Sequence, residues 1–386
     1  MRLLKIGVYY PNYLKQFYAR RPGLADAPYD VQHAALIDDC FGSSDFWTRE
    51  LSRLGYETRD LIINAEPLQR AWAAERGLAF DGGGWLFDIT EAQVGDFRPD
   101  VLIVADYSTV TAAFLRRLRD VCPSIRLVLG WCGAPYGDGS VFGEWDVVLS
   151  CVPELVAHFR EAGHRARHVN HAFEPRVLEK LGAQADAPAA DFVFIGSLVK
   201  SERFHLGREK LLSRLVKETA LELWSEVGPP PPSRLRSAAR ILRGGSANSP
   251  PPHSSVNARI ARRARPPLFG LDMFRQLRAG RVALNTHIDI STHSASNMRL
   301  FEATGVGACL LTDAKENLSE LFEPDAEVVA YRDADECVEK VKYLLKHESR
   351  RRDIAAAGQR RTLRDHTFAS RAALIDTVVR EELSVG

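Results

Sequence analysis

RVALNTHIDISTHSASNMRLFEATGVGACLLTD, residues 281–313, changes its hydrophobic pattern three times. It opens with a short apolar run, 282–284, of the kind a buried strand shows. A polar loop follows, 285–296, with His287, His293, Asp289 and several hydroxyls. From Asn297 the apolar positions Leu300 and Phe301, with Thr304 a turn on, take helical spacing, and Gly305 and Gly307 close the helix. Residues 308–312 form a second apolar run. Strand, loop, helix and strand in that order predict a crossover between parallel strands, the unit of a doubly wound α/β sheet. A helix N-terminus after a strand binds anions well: its first N–H groups are free and its dipole adds partial positive charge. Arg299 in the first turn offers a planar fork of donors for phosphate oxygens. Glu302, one turn further in, suits the paired hydroxyls of a sugar. An ordinary crossover with Asn297 as N-cap accounts for any one of these residues alone.

The run N-x-R-x-F-E-A-x-G-x-G-A-x-L-L-T, Asn297 to Thr312, resembles the donor-site signature of GT-B glycosyltransferases. The CgeB-like, spore-maturation type group is the nearest kind, with a more distant similarity to glycosyltransferase family four. The resemblance implies two Rossmann-like parallel-sheet domains facing a cleft, and a nucleoside-diphosphate-sugar, such as a UDP-sugar, as co-substrate with no separate cofactor. It implies that Glu302 holds the ribose and that the helix N-terminus, with His293, Ser296, Asn297 and Arg299, holds the diphosphate. The sequence departs from the family-four pattern at Ser294, where that pattern has an earlier Glu. Ser294 bears on the stereochemical outcome rather than on the donor class.

The length of 386 residues suits two domains, and 45% hydrophobic with 26% charged residues is a globular composition. A net charge of +1 gives no overall pull toward nucleic acid. Six cysteines are scattered without a C-x-x-C pair, which is the pattern of reduced, buried thiols in a cytoplasmic protein. No apolar run is long enough to span a membrane, and the apolar opening at 1–10 is too short for a signal segment.

In the first half, strands are expected at 3–9, 58–64, 99–105, 126–130, 146–151 and 167–169, and helices at 29–53, 68–77, 109–121 and 153–162. Tyr10, Asn12 and Tyr13, in the loop after the first strand, are candidate acceptor contacts or ordinary loop residues. Asp106 follows a strand, where carboxylates of doubly wound folds face the ligand crevice. It is the candidate general base, and a helix N-cap is the plain alternative. Residues 170–175, NHAFEP, resemble the hinge between GT-B domains. This gives an N-terminal acceptor domain at 1–173, a donor domain at 174–365, and a last helix at 366–386 that returns to the first domain. His164, His168 and His171 span a turn and a strand rather than one helical face, so a metal site is not expected there.

The second half restarts with a strand at 191–195 followed by Gly196 and Ser197, where backbone amides can approach phosphate closely. Lys200 and Arg203 then stand where cations would neutralise a diphosphate, or are solvated loop charges. Trp224, at the end of a strand over 221–224, is a candidate border for the nucleobase. Residues 228–270 carry two proline runs, many arginines and no Asp or Glu. They read as a basic insertion, partly disordered, suited to an anionic partner such as the inner membrane face or a lipid-linked acceptor, or simply as a solvated loop.

The sequence thus predicts a metal-independent glycosyltransferase that moves a sugar from a nucleoside-diphosphate-sugar to a glycan, lipid-linked or protein hydroxyl. Lys200, Arg203 and Arg299 would stabilise the leaving diphosphate, and nucleic acid is not an expected partner. Two other readings stay open, a GT-B nucleotide-sugar epimerase and a non-catalytic GT-B scaffold that binds a glycan or partner.

Overall fold

The computed structural model describes residues 1–80, 82–183, 190–198, 205–227, 256–289 and 291–384. The chain divides into two compact units, Met1–Glu174 with His366–Gly386, and Pro175–Asp365. Among the described residues each unit is built on one six-stranded parallel sheet.

The first sheet comprises β1 (Arg2–Gly7), β2 (Glu57–Ile62), β3 (Val101–Val104), β4 (Leu127–Trp131), β5 (Val147–Ser150) and β6 (Ala166–His168), in the order β2-β1-β3-β4-β5-β6. Its central strands are continuous apolar runs such as VLIV at 101–104, buried throughout. A parallel strand of that kind has helices on both faces of its sheet. Here they include α1 (Pro11–Ala19), α2 (Tyr29–Asp38), α3 (Phe46–Arg53), α4 (Glu66–Glu75), α5 (Trp85–Phe97), α6 (Ala112–Val121) and α7 (Pro153–Glu161). Gly130 in β4 lets the Trp145 indole lie on the strand, since a Cβ there would sit 1.8 Å from a ring atom.

The second unit begins with α8 (Arg176–Leu181). Its sheet is β7 (Ala190–Ile195), β8 (Leu221–Trp224), β9 (Ala264–Arg265), β10 (Gly280–Leu284), β11 (Cys309–Asp313) and β12 (Val329–Tyr331), ordered β12-β11-β10-β7-β8-β9. Flanking it are α9 (Leu206–Glu218), α10 (Ala258–Arg263), α11 (Gly270–Ala279), α12 (Met298–Gly305), α13 (Leu318–Leu321), α14 (Ala334–Lys346) and α15 (Glu348–Asp365). The last helix, α16 (Phe368–Ser384), belongs to the first unit. Its Phe368 ring meets Phe46 at 5.0 Å and Trp47 at 5.3 Å.

Three expectations are corrected. The helix read over 29–53 is two helices, because the CFGSS segment between them, 40–44, holds Cys40, Gly42 and Ser44 at positive φ (55°, 61° and 35°), which no α-helix accommodates. Tyr13 is not a loop contact: it lies in α1, buried, stacked on Phe41 at 3.8 Å and donating to Asp39 at 3.0 Å. Residues 256–270 are not a disordered or solvated part of an insertion. Val256 and Ile260 are buried in the second core, and β9 pairs in parallel with β8 to complete the sheet. The remainder of that segment, 228–255, and with it the partner contact read there, lies outside the described residues.

Candidate functional site at the carboxyl ends of the second sheet

In the second sheet β7 leads to β8 on one side, while β10 leads to β11 on the other. Between β7 and β10 the winding reverses, and ligands of such sheets bind outside the carboxyl ends of the strands at that reversal. The residues that follow these two strands are Gly196–Ser197 and the polar loop 285–297.

A single guanidinium joins the two loops. Arg208, in the first turn of α9, donates to the Ser197 carbonyl at 2.9 Å and to the Thr286 carbonyl at 2.7 Å, and meets His205 Nε2 at 2.8 Å. It is 8% exposed. Burial lowers its pKa to about 10, still cationic at neutral pH, and the carboxylates of Asp313 and Asp289 resist the shift. Its Nε has no partner among the described residues. Burial, followed by the Arg208 charge, pushes His205 down to about 3, so that ring is neutral beside the cation.

The polar loop is held from both sides. The Asn285 amide nitrogen donates to Thr312 at 2.9 Å, its carbonyl accepts from the Tyr331 hydroxyl at 2.9 Å, and its side-chain oxygen accepts from Asn297 at 2.7 Å. Asp289 caps α9, accepting from the backbone N–H groups of Leu206 at 2.7 Å and Gly207. His287 and Asp313 form a buried pair, Nδ1 to Oδ1 at 2.7 Å, with Lys315 Nζ 3.4 Å from the other carboxylate oxygen. Burial pushes the Asp313 carboxyl up, but His287 and Lys315 more than offset this and hold it below the usual carboxylate range.

Asn297 stands at the N-cap of α12 without using its side chain as a cap. Its amide is turned to Asn285 and the Thr286 carbonyl instead, and its buried Oδ1 has no partner among the described residues. The first-turn N–H groups of α12 therefore have no side-chain cap, as the anion-site reading requires. Arg299 and Glu302 pair with each other at 2.8 Å, with side chains 16% and 8% exposed. Burial raises the Glu302 pKa and the Arg299 charge offsets part of the rise.

The predicted residues thus fall into four groups. Gly196, Ser197, Ser296, Asn297, Arg299 and Glu302 lie on the two loops and the helix at the reversal. His293 is exposed and pairs with Glu316 at 2.7 Å, while Trp224 is buried with the Arg265 guanidinium 4.9 Å over its ring. Neither is tied into the Arg208 network. Lys200 and Arg203 lie outside the described residues. Asp106 is in the first unit, after β3. It accepts from the backbone N–H groups of Ser108, Thr109 and Val110, so its carboxylate holds a turn before α6, close to the capping alternative. Sequence reading missed Arg208, Asp289 and the His287–Asp313 pair. An arginine in the first turn of the helix that follows the strand–Gly–Ser run was the available signal for the first, and nothing in the spacing signals the others.

The architecture has known counterparts. Sucrose-phosphate synthase from Thermosynechococcus elongatus aligns over 100% of both chains at 12% identity, with a TM-score of 0.57. Anabaena HepE, solved with UDP and glucose, aligns over 99% of this chain and 100% of its own at 11% identity and a TM-score of 0.55. A glycosyltransferase from Rickettsia africae ESF-5 aligns over 99% and 98% at 10% identity and a TM-score of 0.54. The fold is GT-B. Within this GT-B chain, residues 233–377 match a family model described as "Glycosyl transferase-like", a span that includes β10, α12 and β11. No curated protein matches the chain by sequence.

Proposed function

We propose that the second unit binds a nucleoside-diphosphate-sugar at the carboxyl ends of β7 and β10, and that the chain transfers its sugar to an acceptor hydroxyl without a metal ion. The observation that carries this reading is the α12 N-terminus, uncapped by Asn297 and beside the buried Arg208 cation. Fixed N–H groups and a guanidinium stabilise charge that grows on a leaving diphosphate, and they do so with no reorganisation at the moment of reaction. Glu302, one turn in, has carboxylate lone pairs beyond the one that Arg299 takes, and these suit ribose hydroxyls. The GT-B neighbours support the reading, one of them through the UDP and glucose it holds. Asp106 accepts from the backbone N–H groups of its own turn and remains the proposed base for the acceptor proton. The test is release of nucleoside diphosphate from a panel of nucleotide-sugars with a chelator present. Turnover that appears only when magnesium or manganese is added back removes the metal-independent mechanism.

A further inference from the structure

At the reversal of the second sheet three buried polar atoms have no partner among the described residues: Arg208 Nε, Asn297 Oδ1 and His287 Nε2. Arg208 and Asn297 both bond the Thr286 carbonyl, and His287 is the next residue. Buried polar groups are normally satisfied, and one left open costs about 1–3 kcal/mol. Each of these atoms keeps a hydrogen-bonding capacity that a ligand entering beside the α12 N-terminus would satisfy.

His287 is the informative member. Its side chain is fully buried, and its backbone N–H donates to Asp313 at 3.1 Å while Nδ1 sits 2.7 Å from the same oxygen. Asp313 is held ionised, so it only accepts, and Nδ1 must carry the proton. In the neutral ring the lone pair is then on Nε2, which is a hydrogen-bond acceptor. An acceptor does not bind a phosphate oxygen, which has no proton to give. It binds a hydroxyl. Asp313 is in turn braced by Lys315, whose Nζ also donates to the Ser291 carbonyl at 2.6 Å, so tautomer and ring orientation are fixed before any ligand arrives.

We infer that His287 is a sugar-binding residue: Nε2 accepts a hydroxyl of the sugar being transferred, and Asp313 acts through it as a positioning residue. This rests on the donor reading above. The two loops then divide the ligand, with helix and guanidinium on the diphosphate and imidazole on the sugar. Ser294, buried with its carbonyl taken by Ser291 Oγ, offers no carboxylate for that sugar.

Two substitutions separate this role from a structural one. His287→Asn keeps an N–H near the Nδ1 position for Asp313 and removes Nε2. His287→Gln carries a polar group to the Nε2 position. Affinities are measured by calorimetry for the nucleoside diphosphate and for the intact nucleotide-sugar that wild type binds. His287→Asn should leave nucleoside diphosphate affinity within about twofold and weaken nucleotide-sugar affinity about tenfold, the weight of one such bond. His287→Gln should recover part of that loss. Equal loss on both ligands, or no loss on either, overturns the inference while leaving the donor site standing. If wild type binds neither ligand, the donor reading itself has failed.

Discussion

Arg299→Ala should destabilise the second unit far more than Glu302→Gln. The two side chains pair at 2.8 Å, 16% and 8% exposed, near the N-terminus of α12. Removing the arginine leaves a buried carboxylate whose pKa burial already raises. Removing one partner of a buried pair costs about 3–5 kcal/mol, or about 6–20 °C in Tm for a unit of this size. Glu302→Gln instead leaves the more exposed partner, Arg299, which lies 3.0 Å from Met273 Sδ. It also retains an oxygen that accepts from the guanidinium, so the expected cost is roughly 1–3 kcal/mol. The double variant should be more stable than Arg299→Ala alone, because the stranded charge is gone. The assay is a denaturation series on wild type, both single variants and the double variant, with nucleoside diphosphate affinity measured on each folded protein. If Arg299→Ala melts with wild type, the pair is not buried in solution. If the double variant is as unstable as the sum of the singles, the two residues are not coupled.

Ile260→Ala should cost about 2–5 kcal/mol in a thermal melt, since the side chain is fully buried in the second core; a neutral result would return 256–270 to the status of a solvated loop. Asp313→Asn should lower Tm at pH 7 and lose that effect in acid. The folded carboxyl titrates below its unfolded value of about 3.9, so its stabilisation is present above that pH and disappears as the pH falls through the folded value. A difference in Tm between wild type and Asp313→Asn that stays constant from pH 7 to pH 3 would refute this.

The GT-B architecture was legible because its signal is periodic and local. Buried runs such as FVFI at 192–195 and the strand–loop–helix–strand of 281–313 state their elements outright. β9 was not legible. A two-residue strand in a proline- and arginine-rich segment has no period, and only the β8 edge makes it a strand. The break between α2 and α3 rests on non-glycine residues, Cys40 and Ser44, in a backbone region that propensity assigns to glycine. At the site, sequence located the helix, Asn297, Arg299 and Glu302 because they are neighbours along the chain. It assigned Arg299 to the ligand; the spacing of three also allows a pair with Glu302 on an exposed helix face, and the pair that forms is instead buried. Arg208 to Thr286 joins helix α9 to the loop after β10, and His287 to Asp313 joins that loop to the end of β11, so spacing along one element carries no trace of either.

The most direct test of the central claim is turnover itself. Purified full-length protein is incubated with uridine-, guanosine- and adenosine-diphosphate sugars in chelator, and nucleoside diphosphate is quantified with wild type and with Arg208→Gln. The account predicts release from at least one donor by wild type, and strong loss in the variant, which lacks the cation joining the two loops. Wild type that neither binds nor cleaves any of these donors would contradict it, as would an Arg208→Gln protein that is folded and fully active.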